Sequence, residues 1–311
     1  MYKRQPHYGE ATIEPGTTTL DLTVDSLLVE HLSSLQIAQG SGAYGVVARD
    51  DYAYIAAAET GLISVDVSDH ENPQILDTYD TPDWGWQLML KGNYIYLADG
   101  TIGGLRIFNI ENPANLVEVS DFNIAQSVRG LDIIGDIAVV AGYDGDVYFV
   151  DISNPANPQE LGFVDVGEQT LYDVAANATH AFAATIGRIN SVEYTNPGNP
   201  VNEDNLQLLG QNFNVDLQGN YAYVASNSGT VIVDISNPEN LVQVTSIPEG
   251  GRCADASGNY LVVTNPNTNS VHLVDISNPA QPEVLTTFTT TSASHRDVFI
   301  EGGYIYIAGL E

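Results

Sequence analysis

The dipeptide Asn-Pro recurs at an almost constant interval, and this periodicity constrains the fold more than any other feature of the chain. The intervals between successive copies are 40, 42, 42, 41 and 41 residues, and the asparagines are Asn72, Asn112, Asn154, Asn196, Asn237 and Asn278. A self-similar period of this length marks an array of small supersecondary units, none of which can bury its apolar face alone. The chain is therefore predicted to be a repeat protein.

Two apolar segments in each unit are predicted to be β-strands. One lies just before Asn-Pro, at residues 63–68, 105–110, 147–153, 231–236 and 271–277. The other is an aromatic and β-branched run that begins at Tyr52, Tyr94, Tyr221 or Tyr304. Alternation of Tyr, Val and Ile with small residues is typical of strands, and no stretch keeps a helical period of 3.6 residues. The predicted fold class is therefore all-β.

The residues between these segments favour tight turns. Gly-Asn or a related pair precedes the aromatic run, and glycine at the first central position suits a type II′ hairpin. The Ser-Asn-Pro step supplies a second turn, because proline fixes φ and the Ser and Asn side chains can bond nearby backbone. Each unit of about 41 residues then holds four short antiparallel strands, which is the description of one blade of a β-propeller.

Both ends of the chain carry parts of one further unit. Residues 297–300 and 304–308 match the first two strands of a blade, and residues 18–25 and 32–38 match the last two. We therefore expect a seven-bladed propeller, residues 17–311, closed by N- and C-terminal strands that share one blade. Residues 1–16 are expected to be a loose arm. The alternative is a chain cut from a longer protein, which ends in mid-blade.

The repeat resembles a known family. Gly219 to Ala225 followed by Val233 to Pro238, and Gly135 followed by Val150 to Pro158, are similar to the LVIVD repeat. The resemblance covers residues 43 to 308. Two units depart from it, one with Glu193-Tyr-Thr-Asn-Pro and one with Phe108-Asn-Ile-Glu-Asn-Pro. The resemblance implies a β-propeller of an extracellular or cell-surface protein. It implies no single activity, and it has no catalytic motif to transfer.

The charge balance narrows the classes of partner. The chain has 9 basic and 40 acidic residues and a formal net charge of −31. A nucleic-acid backbone requires a basic footprint, so a nucleic-acid partner is not expected. No apolar run reaches the length of a membrane span, so direct membrane insertion is not expected. The sequence shows no signal peptide and no cofactor motif, and the single Cys253 permits no internal disulfide.

One column of the repeat alignment collects basic and aromatic side chains. It lies eight residues before the aromatic run, where the innermost strand of a blade begins, and reads Tyr44, Trp86, Arg129, Tyr172, Phe213, Arg252 and Arg296. Guanidinium groups bind carboxylate, phosphate or sulfate in a bidentate manner, and aromatic faces stack on sugar rings. We therefore predict a ligand site at the channel mouth for an anionic glycan, a peptide carboxylate or an acidic protein loop.

The same residues admit other interpretations. Arginines of the column and aspartates one or three positions later could form ion pairs between neighbouring blades, with the aromatic rings as packing. A second alternative is a propeller-type hydrolase or lyase that acts on a sugar or lactone, with Asp173, Asp297 and His295 as acid/base candidates. A third is a structural cell-surface component. No histidines or cysteines have metal-ligand spacing, so no metal site is predicted.

Overall fold

The computed structural model describes residues 2–6, 27–37, 42–124, 127–167, 170–265, 267–290 and 294–310. Within these ranges the chain is all-β, with five four-stranded sheets and one six-stranded sheet. All pairings between these strands are antiparallel. The helix described, α1 (Gly100–Gly103), has four residues, and no helix within these ranges is long and apolar enough to cross a bilayer.

The strands of the first half of the chain follow the repeats. Two N-terminal strands are β1 (Tyr2–Pro6) and β2 (Leu27–His31). One sheet contains β3 (Ala43–Arg49), β4 (Tyr52–Ala57), β5 (Gly61–Asp66) and β6 (Gln74–Tyr79). The next contains β7 (Gly85–Lys91), β8 (Tyr94–Asp99), β9 (Gly104–Asn109) and β10 (Val117–Phe122). A third contains β11 (Val128–Ile134), β12 (Ile137–Gly142), β13 (Asp146–Asp151) and β14 (Gln159–Asp165).

The second half of the chain contains the largest sheet. Its six strands are β15 (Leu171–Ala176), β16 (His180–Glu193), β17 (Val201–Gln218), β18 (Tyr221–Ser226), β19 (Gly229–Asp234) and β20 (Val242–Ile247). A four-stranded sheet follows, with β21 (Ala254–Ser257), β22 (Tyr260–Asn265), β23 (Ser270–Asp275) and β24 (Glu283–Thr289). The last strands are β25 (Ser294–Glu301) and β26 (Tyr304–Leu310).

The sheets form a closed ring. Successive contacts join β3 to β7, β7 to β11, β11 to β15, β15 to β17, β17 to β21 and β21 to β25, and β25 returns to β3. These strands are therefore the innermost ones, and they line a central channel. The sheet that completes the ring has the order β2-β1-β26-β25, so it combines strands from both ends of the chain. The architecture is a β-propeller of four-stranded antiparallel blades, as predicted.

The N-terminal strands of the closing sheet are not those expected from the sequence. The structure pairs β1 with β26 through Tyr2↔Ile305 and Lys3↔Tyr304, and β1 pairs with β2. Residues 2–6, expected in a loose arm, therefore form a strand. Residues 32–37, expected in a strand, form none, and residues 18–25 lie outside the described residues. The strand prediction relied on matching Val-Asp of the repeat, and hydrogen bonding with β26 selects a different segment.

The two predicted turns are present. The Asn154 carbonyl accepts a hydrogen bond from the Asn157 amide, and its side chain accepts one from the Ala156 amide at 3.2 Å. In the hairpin between β7 and β8, Gly92 has φ 57°, a conformation that glycine adopts without a Cβ clash. The repeat sequence thus fixes both turns through local bonding.

The apolar core lies between neighbouring sheets. Leu105 of β9 packs in one cluster with Val140 of β12, and Val46 of β3 packs in another with Tyr306 of β26. The inner and middle strands of each sheet pack against the neighbouring sheets, and this packing positions the side chains at the mouth of the channel.

Candidate functional site

The seven residues predicted as a column converge on one cavity. We call Tyr44, Trp86, Arg129, Tyr172, Phe213, Arg252 and Arg296 the mouth ring, and all seven line a cavity of about 70 Å³. Six of them lie within two residues of the first residue of an innermost strand, and Phe213 lies inside β17, where that strand begins to pair with β18. Gln87, Asp173, Asn214 and Asp297 complete the lining. Repeat spacing therefore brings together residues up to about 250 positions apart in the chain.

The arginines of the mouth ring stack on aromatic rings. The Arg129 guanidinium carbon lies 4.2 Å from the ring centroid of Trp86 and 3.7 Å from that of Tyr143. Arg252 lies over Phe213 at 4.8 Å, and Arg296 lies over Tyr44 at 5.0 Å. Each contact joins a guanidinium to an aromatic face, an arrangement that holds the cation against the wall of the cavity.

The aromatic members of the ring also touch one another. The Tyr44 and Trp86 centroids are 4.9 Å apart in an edge-to-face arrangement, and those of Tyr172 and Phe213 are 5.4 Å apart. These pairs connect adjacent blades. The predicted packing role of the aromatic rings is therefore present, and the rings form the wall of the cavity as well.

The mouth-ring arginines differ from Arg106, which is buried in an ion-pair cluster. Arg106 Nε lies 2.8 Å from Asp99 Oδ2, and the guanidinium also pairs with Glu118. Among the described residues, no ion pair involves Arg129, Arg252 or Arg296. The Nε atoms of Arg129 and Arg296 are buried with no hydrogen-bond partner. Three guanidinium groups thus face one cavity, and none of them forms an ion pair with a carboxylate in the described part of the chain.

Burial affects two of these arginines. It lowers the pKa of both Arg129 and Arg252, and the neighbouring Arg296 charge lowers the pKa of Arg252 further. A guanidinium nonetheless keeps its proton in proteins. Because two like charges are held close together at Arg252 and Arg296, an anion placed between them would relieve their repulsion.

Deeper in the channel, carboxylates join one blade to the next. We call Asp132, Asp173, Asp216, Asp255 and Asp297 the aspartate belt. Asp132 accepts a hydrogen bond from the Ala176 amide at 2.7 Å, Asp216 from the Ala256 amide and Asp255 from the Ile300 amide, both at 2.6 Å. Asp173 accepts one from the Val215 amide at 3.1 Å and Asp297 one from the Val46 amide at 2.9 Å. Every bond crosses from one innermost strand to the next.

The belt carboxyls are poor acids because they are removed from water. Desolvation is the largest cause of the raised pKa of all five, and it takes the pKa of Asp216 and of Asp297 to about 7. Backbone hydrogen bonds act in the opposite direction, since they favour the charged form. Part of the formal negative charge of the channel is therefore neutralised by protons near neutral pH.

In the described residues, hydrogen bonds from backbone amides to the aspartates take the place of the ion pairs considered between blades. The aspartates bond backbone N–H groups of the next blade, and the arginines stack on aromatic rings. Sequence spacing places both residue types on the innermost strands correctly, but it does not say whether a carboxylate points toward an arginine or toward a neighbouring backbone. In the described part of the chain, the aspartates, and not the mouth-ring arginines, therefore form hydrogen bonds from one blade to the next.

The structure places only two of the three alternative acid/base candidates at the cavity. Asp173 and Asp297 line the cavity, whereas His295 is fully buried, and its Nε2 lies 2.6 Å from the Thr290 hydroxyl. Burial lowers the pKa of His295, so the imidazole is neutral at pH 7. Asp173 accepts bonds from the Val174 and Val215 amides and from the Asn214 side chain. Its oxygens are largely occupied by structural bonds.

The sequence prediction missed several contributors to the site. Gln87 accepts a hydrogen bond from the Leu131 amide, and Asn214 accepts one from the Ala254 amide at 2.8 Å, so amide side chains share the role of the belt. Tyr143 covers Arg129 from the loop after β12. The position directly after the column could have identified Gln87 and Asn214, because Asp173 and Asp297 occupy it in two other units. In the described ranges, no group of three or more His, Cys, Asp and Glu side chains is arranged to hold a metal ion.

A comparison with models of known protein families identifies the family of this chain. The LVIVD repeat model matches residues 40–81, 85–124, 125–166, 210–247, 254–290 and 293–310. Since these segments make up most of the sequence, the chain belongs to the LVIVD repeat family. Residues 167–209 lie between two matched segments, and they contain the departing Glu193-Tyr-Thr-Asn-Pro unit.

Solved structures with the same fold are distant in sequence. A protein from Lactobacillus plantarum is 15% identical, with a TM-score of 0.72 over 93% of this chain and 97% of its own. A WD40 β-propeller domain is 11% identical, with a TM-score of 0.70 over 89% and 93%. A protein of Bacteroides fragilis with a provisional 6-phosphogluconolactonase name is 14% identical, with a TM-score of 0.68 over 84% and 86%. No curated protein matches significantly. These likenesses establish the fold alone.

Proposed function

We propose that this protein is a non-enzymatic binding module that takes an anionic group of a partner into its mouth ring. The observation that carries the proposal is the convergence of Arg129, Arg252 and Arg296 on one cavity, with no carboxylate ion pair to any of them in the described residues. In a chain with a formal charge of −31, such a cluster is a local attraction for anions. The partner is a protein, a peptide or an anionic glycan.

We further propose that the ring has seven blades. The first half of β16 pairs with β15, and its second half pairs with residues 201–207 of β17. Residues 212–218 of β17 pair with β18 instead. If β16 and β17 are each divided at these changes of partner, the six-stranded sheet becomes two blades of four strands. The mouth ring then takes one residue from every blade.

The location proposed for this module is outside the cell or at the cell surface. The LVIVD resemblance supports that location, and a strongly acidic surface is suited to remaining soluble there. Immunodetection of the native protein on intact cells, compared with lysed cells, tests it. Protection from an added protease in intact cells, with digestion only after lysis, would contradict a surface location.

A second candidate function is hydrolysis or elimination on a sugar or lactone in the channel. The pKa of the Asp297 carboxyl, raised to about 7, favours it, because a group that holds its proton near neutral pH can act as a general acid. The hydrogen bond from Val46 to Asp297 and the three bonds to Asp173 favour the structural role instead. Turnover of sugar lactones that is lost in Asp297→Asn would support the enzymatic candidate.

A purely structural cell-surface component is the third candidate. Exposed apolar side chains on the outermost strands favour it, among them Ile75 and Val242, which are 44% and 49% exposed. Apolar groups on sheet edges promote association between copies. Concentration-dependent self-association in analytical ultracentrifugation, together with no ligand on any array, would support this candidate.

The binding proposal is tested with a triple variant. Arg129, Arg252 and Arg296 are changed together to Ser, and both proteins are screened on an array of anionic glycans and peptides. We expect salt-sensitive binding by the natural chain and none by the variant, which keeps the circular dichroism spectrum of a folded propeller. Equal binding by both proteins would refute the proposal, as would the absence of binding by the natural chain.

A further inference from the structure

An exposed apolar rim adjoins the mouth ring on one side. The Trp84 ring centroid lies 5.8 Å from that of Tyr44 and 6.2 Å from that of Trp86. Trp84 is nevertheless 43% exposed, and Ile102 in α1 is 71% exposed. Large apolar side chains exposed next to a cavity are typical of interaction sites. We call Trp84 and Ile102 the apolar rim.

The rim is held in place by one carboxylate. Asp83 accepts a hydrogen bond from the Trp84 amide at 2.8 Å and one from the Ile102 amide at 3.0 Å. Gly100, with φ 54°, approaches so closely that a Cβ there would lie 2.6 Å from Asp83 Cγ. The loop before β7 and the loop that contains α1 are therefore fixed to each other. Trp84 therefore lies against the mouth ring, and Asp83 fixes the backbone of Ile102 to the same loop.

The size of the cavity limits what enters it. A volume of about 70 Å³ is well below that of sites for drug-sized ligands, which are about 300–1,000 Å³. One water occupies roughly 10–15 Å³ by this measure, so the cavity holds a group of a few heavy atoms. A single carboxylate fits, and the planar guanidinium groups match its geometry. The rest of the ligand must lie outside the cavity, over the rim.

The charge of the whole protein selects against polyanions. Outside the mouth ring, a polymer with one negative charge per unit would approach a protein whose formal net charge is −31. Repulsion of like charges slows and weakens such an encounter. A ligand with one acidic group and an otherwise neutral or apolar surface avoids this penalty. Charge therefore favours a peptide segment over an anionic polysaccharide.

We propose that the mouth ring and the apolar rim form one docking surface for a short segment of a partner protein. The segment places one aspartate or glutamate carboxylate among Arg129, Arg252 and Arg296, and lays a neighbouring apolar side chain on Trp84 and Ile102. This inference rests on the proposed function, because it names the class of ligand for the same site. It adds the rim, which no repeat position predicted.

The test uses an array of acetylated and amidated hexapeptides. Each pairs one Glu or Asp with one Leu or Trp at a spacing of one to three residues. Matched peptides replace the acid with Gln or Asn, or the apolar residue with Ser. Sodium acetate, polygalacturonate and dextran sulfate are the competitors. Isothermal titration calorimetry then measures the affinity of the best peptide for each variant.

Four variants separate the parts of the surface. Arg296→Gln removes one charge from the mouth ring, and Arg49→Gln removes one from the exposed end of β3 as its control. Ile102→Ser shortens the rim, and Ile75→Ser is its control on the outermost strand β6, where Ile75 is 44% exposed. We expect Arg296→Gln and Ile102→Ser each to weaken binding by about tenfold, the usual size for a contributing interface side chain. The two controls bind like the natural chain.

The outcomes distinguish this inference from the proposed function. If Arg296→Gln weakens binding but Ile102→Ser leaves it unchanged, the rim is not part of the site and the inference fails, while anion binding stands. If polygalacturonate or dextran sulfate binds more tightly than every peptide and depends on Arg296, the ligand class is wrong and anion binding again stands. If no peptide, polysaccharide or acetate binds, both proposals fail.

Discussion

The mouth ring and the aspartate belt lie on the same strands, often one to three residues apart, yet they bond in opposite ways. The belt side chains accept hydrogen bonds from backbone amides of the next blade, as Asp132 does from Ala176 and Asp216 from Ala256. The mouth-ring arginines form no ion pair in the described chain and stack on aromatic faces. The comparison separates a set of groups that joins the blades from a set that remains available to a ligand.

The largest loss of stability is expected when belt carboxyls are removed. In the double variant Asp132→Ala and Asp216→Ala, the Ala176 and Ala256 amides lose their acceptors in different blades. An unsatisfied buried donor costs about 1–3 kcal/mol, so the free energy of unfolding is expected to fall by about 4 kcal/mol. Urea denaturation measures it. The matched double variant Asp132→Asn and Asp216→Asn keeps an acceptor oxygen at each site, so its free energy of unfolding should fall by less than half as much. Equal losses in the two double variants would contradict the role of these carboxyls as acceptors for backbone amides.

The next largest effect is a dependence of stability on pH. Desolvation raises the pKa of Asp216 and of Asp297 to about 7, so the folded protein holds protons that the unfolded chain releases near pH 4. The stability contributed by these groups is therefore fully present at low pH and is lost as pH rises from about 4 to about 7. The melting temperature should be higher at pH 5 than at pH 8.

Other aspartates lower the stability of the folded protein at acidic pH. The Ser153 and Ser236 amides and hydroxyls lower the pKa of Asp151 and Asp234, whose contribution is present above the unfolded pKa and lost as pH falls through the lowered folded value. Stability should accordingly pass through a maximum between about pH 4 and 6. Asp216→Asn and Asp297→Asn should flatten the decline on the alkaline side. A melting temperature that rises from pH 5 to pH 8 would contradict the buried belt.

A smaller effect on stability is expected in the mouth ring. Arg252→Gln combined with Arg296→Gln removes two stacking cations, each worth about 0.5–1 kcal/mol, and also relieves their mutual repulsion. Differential scanning calorimetry should show a fall in melting temperature of no more than about 3 °C. Arg106→Gln is the contrasting variant, because it breaks a buried ion pair with Asp99, and its loss should be clearly larger. The reverse order would mean that the mouth ring holds the blades together.

The smallest effect concerns Cys253, which follows Arg252 but faces the core. Its thiol is buried, and desolvation raises its pKa, so the reactive thiolate is scarce despite the adjacent guanidinium. Ellman's reagent should react with the folded protein only at the rate of unfolding and with the urea-unfolded chain within minutes. Rapid reaction of the folded protein would place Cys253 in the open cavity with the mouth ring.

Much of the fold follows from the sequence because the repeat encodes local structure. Asn-Pro turns, Gly-Asn hairpins and the alternating aromatic runs each act within a few residues, and the structure forms strands at those places. The first strand β1 escaped prediction, because Tyr2–Pro6 has no alternation and its assignment depends on pairing with β26, almost the whole chain away. Pairing between distant segments is a tertiary effect that local patterns do not encode.

The site was predictable in position but not in bonding. Repeat spacing alone brought Tyr44, Arg129 and Arg296 to one level of the channel. It did not reveal that the belt aspartates bond backbone amides, since side-chain direction depends on how closely adjacent blades approach. Repeat spacing did not identify the apolar rim, because Trp84 and Ile102 lie in loops whose sequences do not recur in the other units.

The central claim is that the mouth ring binds and the belt holds the blades together, and one paired measurement tests it most directly. The Arg129→Ser, Arg252→Ser and Arg296→Ser triple variant and the Asp132→Ala, Asp216→Ala double variant are each assayed for peptide binding and thermal unfolding at the same pH. The account predicts that the triple variant loses binding and keeps its melting temperature within a few degrees, while the double variant melts much earlier and still binds when folded. A triple variant that melts as early as the double variant, or one that binds normally, would contradict the account.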